Sequence, residues 1–170
     1  SGVVRTPLMA LGESVLFCGR AVPLIAEFFA TMADVYRVLD QLPDDADQHA
    51  SADGAEKTAI ASARRMARMI GRDLESAAMD DWRAMAFAFR AMQLQKIDAA
   101  RRIVVERAEL DDGAMIIGAG VGQFLLREIA TQSGCEYRSF ADLVLHEGID
   151  GTAVAHVAPA VAVALLALQQ

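Results

Sequence analysis

The sequence has little cysteine, and its two cysteines are isolated from each other. Cys18 and Cys135 have no second cysteine at the spacing of a metal site, and no secretory signal precedes them. The pattern argues against a disulfide framework and against a cysteine-rich zinc site. Isolated thiols are typical of a reducing compartment, so we expect the chain to be cytoplasmic.

Uninterrupted apolar runs of membrane-spanning length are also lacking. The longest candidate, Val154 to Leu168, is interrupted by His156 and Pro159. It falls short of the roughly 18 apolar residues that a membrane span requires. We interpret this run as a buried helix, and we expect no membrane partner.

Net positive charge is absent as well, since 16 basic and 23 acidic residues give a formal net charge of -7. Recognition of a nucleic-acid backbone needs a clustered basic surface, so we expect no nucleic-acid partner. Nine arginines and one lysine do lie between Arg64 and Arg107, but acidic residues are interleaved with them. This mixture predicts a solvated helix face.

The residues that are plentiful indicate a helical globular domain. Of the 170 residues, 54% are hydrophobic, whereas only 12 are glycine and 4 are proline. A chain of this length buries about 70% of its unfolded surface, so a substantial core is available. We expect one helix-rich α/β domain over residues 1–170, with few and short strands.

Hydrophobic periodicity predicts three helices in the first two thirds of the chain. Their ranges are Pro23 to Leu42, Glu56 to Ile70 and Asp81 to Leu110. The polar and acidic residues 43–54 predict an exposed, mobile loop, in which Asp53 caps the second helix. Short strands are predicted within Ser1 to Phe17.

The last third of the chain changes character. The apolar run Ala114 to Ile117 predicts a buried strand, and a glycine turn, residues 118–122, leads from it into a helix from Gln123 to Ser133. Further short strands or a turn of helix are predicted over Glu136 to Phe140 and Leu143 to Leu145.

A strand, a glycine turn and a helix often bind nucleotides, because glycine lets the backbone approach a ligand and a helix start offers N–H donors. The residues that we predict to bind the nucleotide are Gly118, Ala119, Gly120, Val121, Gly122 and Gln123. Gln123 stands where the dinucleotide fingerprint has its third glycine, and no Gly-Lys-Ser or Gly-Lys-Thr follows as in a Walker A loop. The alternative is that the glycines only make a tight, closely packed connection.

A resemblance extends this interpretation. The run Met115 to Leu125 resembles the adenosine motif of the superfamily of actin, heat-shock chaperones and sugar kinases, and Ala158 to Ala167 resembles its Ala-rich final helix. The resemblance implies the C-terminal nucleotide-binding lobe of an actin-like or sugar-kinase-like (ribonuclease H-like) fold. In that lobe a small mixed sheet is packed by long helices.

More narrowly, the chain resembles the C-terminal half of the hydantoinase A and oxoprolinase-like proteins linked to tetrahydromethanopterin and methanofuran C1 metabolism. The runs that suggest it, besides the glycine turn, are Gly2 to Pro7, Ala26 to Tyr36, Ala52 to Gly54 and Tyr137 to Asp142. The family implies an ATP-dependent transferase or ligase in C1-carrier cofactor biosynthesis, with ATP and Mg²⁺ held between two lobes. The Asp-x-Gly-Gly phosphate loop of the family belongs to an N-terminal lobe. We therefore expect that lobe as a partner, and the chain to be inactive without it.

Candidate catalytic residues are harder to choose. Glu27, Thr31 and Asp34 recur at helical spacing within the first predicted helix, and one face of that helix could meet a small-molecule substrate. Glu27 and Asp34 are the first choices for such a contact, and capping or surface roles are the alternative.

Two groups of polar residues around histidines are further candidate sites. His49 lies among carboxylates that could ligate a hard cation, namely Asp44, Asp45, Asp47 and Asp53, and a solvated loop is the alternative. His146, Glu147 and Asp150 could act in acid–base chemistry, although no partner nucleophile is identifiable. The sequence therefore assigns no metal ligand.

A second class of function stays open. The helices of a non-catalytic interaction module would form a homodimer or a docking surface, and the glycines would only pack. Phe29 and Phe87 lie off their apolar stripes and could face a partner lobe.

Overall fold

The computed structural model describes residues 2–43, 46–144 and 151–168. The chain divides into two compact units, Ser1–Ala99 and Ala100–Gln170. The single-domain organisation stays a prediction. The fold is α/β and rich in helix, as the composition predicts.

The first unit begins with an antiparallel strand pair, β1 (Ser14–Phe17) and β2 (Arg20–Pro23), in which every residue of one strand has a partner in the other. The turn between them consists of Cys18 and Gly19, with φ values of 46° and 75°. Two-residue hairpin turns with positive φ at both positions match the twist of the strands. The strands predicted within Ser1 to Phe17 are thus confirmed only for β1, and β2 lies beyond that range.

Helix α1 (Met32–Val38) is much shorter than the predicted helix from Pro23 to Leu42. Pro23 ends β2 instead of opening a helix. The helix begins where Thr31 and Asp34 form a capping box, in which each side chain bonds the backbone of the other residue. The prediction was wrong over residues 23–31, because three- and four-residue apolar spacing also occurs in extended segments that pack on a core.

Helices α2 (Ala59–Arg68) and α3 (Met79–Arg107) confirm the other two predicted helices to within three residues at each end. The hydroxyl of Thr58 accepts a hydrogen bond from the N–H of Ala61 at 3.1 Å and caps α2. The predicted cap by Asp53 was therefore wrong.

Buried apolar side chains from β1 and from all three helices form the core of the first unit. α1 packs against α2, and the Tyr36 hydroxyl of α1 donates a hydrogen bond to Gln93 of α3. The largest buried apolar side chains of this unit are Leu8, Met32, Tyr36, Met66, Met69, Trp82, Met85 and Phe89.

The second unit is built on a parallel pair of short strands, β3 (Ile116–Gly118) and β4 (Tyr137–Ser139), joined through α4 (Gln123–Ser133). α4 packs against both strands, and Gly134 ends it with a φ of 68°. The predicted strand, turn and helix are confirmed, but the predicted burial of the strand was wrong, because Ile117 is 47% exposed. The described residues hold two separate two-stranded sheets in place of one small mixed sheet.

The described residues after β4 form three helices, α5 (Phe140–Val144), α6 (Gly151–His156) and α7 (Ala158–Ala167). α7 was expected to be buried, but Val163 is 68% exposed and Leu166 is 62% exposed. The prediction was wrong because an apolar composition does not supply the neighbour that would cover the helix. No helix in the described ranges is both long enough and apolar enough to cross a membrane.

Candidate functional site

The glycine turn of the second unit lies between the end of β3 and the start of α4. Gly118 is the last residue of β3 and is paired with Ser139 of β4. Gly120 has a φ of 78°, and Gly122 is the N-cap of α4. The turn therefore places a strand end and a helix start side by side, as the nucleotide-binding hypothesis requires.

Two of the glycines are required for different reasons. A Cβ added to Gly118 would lie 2.7 Å from ring carbons of Tyr137, so packing alone demands glycine there. A Cβ added to Gly120 would meet nothing within 4 Å, and only the positive φ of that residue favours glycine. The close-packing alternative thus explains Gly118, whereas the described residues leave the space over Gly120 open to a ligand.

The side chain of Gln123 is fixed at the mouth of this turn. Its Oε1 accepts hydrogen bonds from the Tyr137 hydroxyl at 3.3 Å and from the Ser139 hydroxyl at 3.1 Å. The guanidinium of Arg127 lies over the Tyr137 ring, 5.1 Å from its centroid. With Oε1 occupied, the amide nitrogen is the group that Gln123 can offer to a ligand.

The backbone of the turn is partly used within the unit. The N–H of Gly120 donates a hydrogen bond to the carbonyl of Ala155 in α6 at 2.7 Å. That donor is therefore not available to a phosphate oxygen. The observation suits a ligand group that lies against the turn, as a nucleoside does, better than a phosphate held by its amides.

The described residues do not offer the set of ligands that Mg²⁺ would need. Within residues 2–43, 46–144 and 151–168, no group of three His, Cys, Asp or Glu side chains could hold a metal ion. The candidates Asp44, Asp45, His146, Glu147 and Asp150 lie outside the described residues.

A second concave region lies in the first unit. It is a cleft of about 360 Å³ between the N-terminal segment, the start of α1 and the loop before α2. Asp34 lines the cleft, together with Thr31 and Phe28, whereas Glu27 is exposed and is not among the lining residues. Because Glu27 precedes α1, it shares no helix face with Asp34. A substrate contact by either residue stays a prediction.

Arg65 is the centre of a buried ion-pair network beside this cleft. Its side chain is 0% exposed, and its Nε donates to Asp34 Oδ1 at 2.8 Å. Its Nη1 donates to Asp53 Oδ1 at 3.0 Å and to the Glu56 carbonyl at 3.2 Å, and its Nη2 donates to the Ser62 hydroxyl at 3.1 Å. For Arg65 the predicted solvated helix face was wrong, because carboxylates from two other segments neutralise its charge.

The neighbours of Asp53 and Arg65 favour the charged form of each side chain. Burial works against the charged form of Asp53, but the N–H of Ala55 and the cations Arg65 and Arg68 outweigh it and lower the pKa of Asp53 below its ordinary value. Burial likewise works against the charged form of Arg65, but its bonds to Asp34 and Asp53 raise its pKa. Asp34 therefore acts as a helix cap and as the ion-pair partner of Arg65.

Comparisons with known proteins add one similarity. No protein-family model matches the chain. The chain is 25% identical over 127 residues, which are 75% of its length, to the (4-{4-[2-(gamma-L-glutamylamino)ethyl]phenoxymethyl}furan-2-yl)methanamine synthase of Methanocaldococcus jannaschii. The chain is similar to this synthase. The match covers 38% of the length of the synthase, so the chain spans well under half of that relative.

Neither the cleft nor the role of Arg65 was found from the sequence. The capping pattern Thr31-x-x-Asp34 was available as a local signal, and it would have marked the true start of α1. The partners of Arg65 in the ion-pair network lie 31 and 12 residues away, which no local pattern reveals.

Proposed function

We propose that the chain belongs to an enzyme of methanofuran biosynthesis. The similarity to the Methanocaldococcus synthase over three quarters of the chain carries this proposal. The name of that synthase describes a product in which a phenolic oxygen is joined to the methylene carbon of an aminomethylfuran. The phenol carries an ethylamine arm acylated by γ-glutamate. The reaction class is therefore the formation of an ether bond between small molecules, in which the phenol oxygen loses its proton and displaces a leaving group from the furanmethyl carbon.

We further propose that an adenine nucleotide binds at the glycine turn. The strand, turn and helix geometry, the open space over Gly120 and the fixed amide of Gln123 support this assignment. In the proposed actin-like or sugar-kinase-like fold, this turn supports the adenosine, and an N-terminal lobe supplies the phosphate loop and the Mg²⁺ ligands. ATP would supply the free energy that drives a transferase or ligase reaction.

A cytoplasmic location accompanies this role. Cys18 and Cys135 are both free thiols, which suits a reducing compartment. The proposed activity, substrates and partner lobe concern the whole enzyme, because the chain matches only part of its relative.

The glycine turn offers a matched pair of variants for the test. Gly120 and Gly134 both have positive φ, and an added Cβ would meet nothing within 4 Å at either position. Alanine should therefore introduce a similar backbone strain of about 1–2 kcal/mol at both sites. We expect Gly120→Ala to weaken ATP binding about tenfold or more, whereas Gly134→Ala should leave it unchanged.

Titration calorimetry with Mg-ATP measures the binding, and mass spectrometry of the furan-containing product measures the synthesis. Equal ATP affinities of the two variants would remove the turn from the nucleotide site. Product formation that does not require ATP would contradict the proposed role of ATP in the reaction.

A second candidate function is an interaction module, and the exposed helix α7 favours it. Val163 and Leu166 of this helix are exposed, and Leu168, just beyond its end, is 84% exposed. Exposed apolar surface of this kind marks association sites. In this alternative the chain forms a homodimer through α7, and the glycines serve packing alone.

This alternative predicts a dimer whose mass does not respond to Mg-ATP. The double variant Val163→Ser and Leu166→Ser should dissociate it, because each substitution removes apolar area from the interface. Leu16→Ser, at another exposed position of the chain, is the matched control and should leave the dimer intact. Light scattering gives the mass, and a monomer in all three proteins would rule out the dimer.

A further inference from the structure

The first wall of the cleft in the first unit is the N-terminal segment. Backbone hydrogen bonds fasten this segment along the residues that lead into α1. They run from Ala33 N–H to the Val4 carbonyl (3.2 Å), from Met32 N–H to the Thr6 carbonyl (2.9 Å) and from Leu8 N–H to the Ala30 carbonyl (3.1 Å). Arg5 lies between the first two of these bonds and lines the cleft. Its backbone is therefore held in place, although its side chain is on the surface.

The opposite wall is the described part of the loop before α2. Asp47 is bound by Arg37 at 2.6 Å, and its carbonyl accepts a hydrogen bond from Lys57 Nζ at 2.8 Å. The Ser51 hydroxyl donates to the Ala55 carbonyl at 2.6 Å. These contacts fasten the chain on both sides of His49, which lines the cleft. The predicted mobility of residues 43–54 stays a prediction.

The two carboxylates that line the cleft are already neutralised. Asp34 is paired with Arg65 at 2.7 Å, and Asp47 is paired with Arg37. By contrast, Arg5 and His49 have no side-chain partner among the described residues. The side chains of Arg5 and His49 therefore offer unused N–H donors to a ligand.

One cation of the cleft is not neutralised by an ion pair. Arg37 and Arg65 are paired with Asp47 and Asp34, whereas Arg5 has no carboxylate partner among the described residues. A ligand with negative charge would neutralise Arg5.

We propose that this cleft binds the oxyanion of a small molecule, a carboxylate or a phosphate, through Arg5 and His49. A guanidinium donates two parallel hydrogen bonds to an oxyanion, and an imidazole N–H adds a third donor. The volume of about 360 Å³ suits a small molecule, and the half-exposed ring of Phe28 offers an apolar contact beside the charged group. The site stands on its own geometry and does not depend on the proposed nucleotide site.

The test uses two probes and three proteins. The probes are inorganic phosphate and γ-L-glutamylethylamide, which carries the α-carboxylate of a γ-glutamyl group without a phenol or a furan. We expect at least one probe to bind the unaltered chain in titration calorimetry. Arg5→Gln should weaken that binding about tenfold, since it removes the positive charge and the paired donors of the guanidinium. Arg64→Gln, at an exposed position of α2 outside the cleft, should bind as the unaltered chain does.

The two probes identify the source of the oxyanion. Binding of γ-L-glutamylethylamide alone assigns the cleft to a carboxylate, binding of phosphate alone assigns it to a phosphate group, and binding of both assigns it to oxyanions in general. Absence of binding by both probes would overturn the proposal, and so would an equal affinity of the Arg5→Gln variant. Because no nucleotide or synthase substrate enters the experiment, its failure is separate from failure of the proposed function.

Discussion

Replacing Arg65 with alanine should lower the free energy of unfolding by about 3–5 kcal/mol. The guanidinium is completely buried and is the shared partner of Asp34 and Asp53. Its removal leaves the Asp34 carboxylate buried, with Arg37 at 3.6 Å as its remaining ion-pair partner. The loss therefore consists mainly of the penalty for a poorly compensated buried charge, not of the strength of the ion pair itself.

Urea denaturation measures this loss, and the fluorescence of Trp82 reports on the first unit because it is the only tryptophan of the chain. Arg68→Ala is the control. Arg68 also pairs with Asp53, but its side chain is 45% exposed, so its loss should cost less than about 1 kcal/mol. A similar midpoint for both variants would show that burial of Arg65 does not determine the stability of this network.

Trp82→Ala should have an effect of comparable size, about 3–5 kcal/mol, because it removes a large buried ring from the core. The ring is 0% exposed and stacks on Phe17 with their centroids 4.8 Å apart. Its Nε1 donates a hydrogen bond to the Leu74 carbonyl at 2.9 Å. The substitution removes the stacking and the hydrogen bond, and it leaves a cavity between β1 and α3.

Trp82→Phe separates these contributions. Phenylalanine keeps an aromatic ring but cannot donate to Leu74, so we expect a loss of about 1–2 kcal/mol. Circular dichroism during thermal unfolding suits both variants, because they lack the tryptophan that fluorescence would use. If the alanine variant melted with the unaltered chain, Trp82 would have no central role in the core.

Long or sharply bounded periodic segments were predictable from the sequence. α3 has 29 residues, and its apolar stripe repeats often enough to exclude other interpretations. α4 lies between Gly122 and Gly134, and these glycines mark both of its ends. α1 has only 7 residues, and the apolar residues before it lie in an extended segment whose spacing imitates a helix.

The two candidate sites also differ in whether their residues are contiguous in the sequence. The glycine turn is a contiguous run, and its strand, turn and helix could be recognised before the structure was known. The cleft is assembled from residues that are far apart in the chain, such as Arg5 and His49. Backbone pairing brings the segment of Arg5 to the start of α1, and the ion pair of Arg37 with Asp47 holds the loop of His49 there. A single sequence carries no local signal for such a site.

The lowered pKa of Asp53 makes one wall of the cleft sensitive to strong acid. A carboxyl group whose pKa is lower in the folded chain contributes stability that is complete above the unfolded value, about 3.9 for aspartate, and is lost as the pH falls through the folded value. Protonation of Asp53 would remove one anchor of the loop that carries His49, since Arg65 and Arg68 both hold that loop through this carboxylate. Strong acid would thus loosen one wall of the cleft, while neutral and mildly acidic solutions leave it fastened.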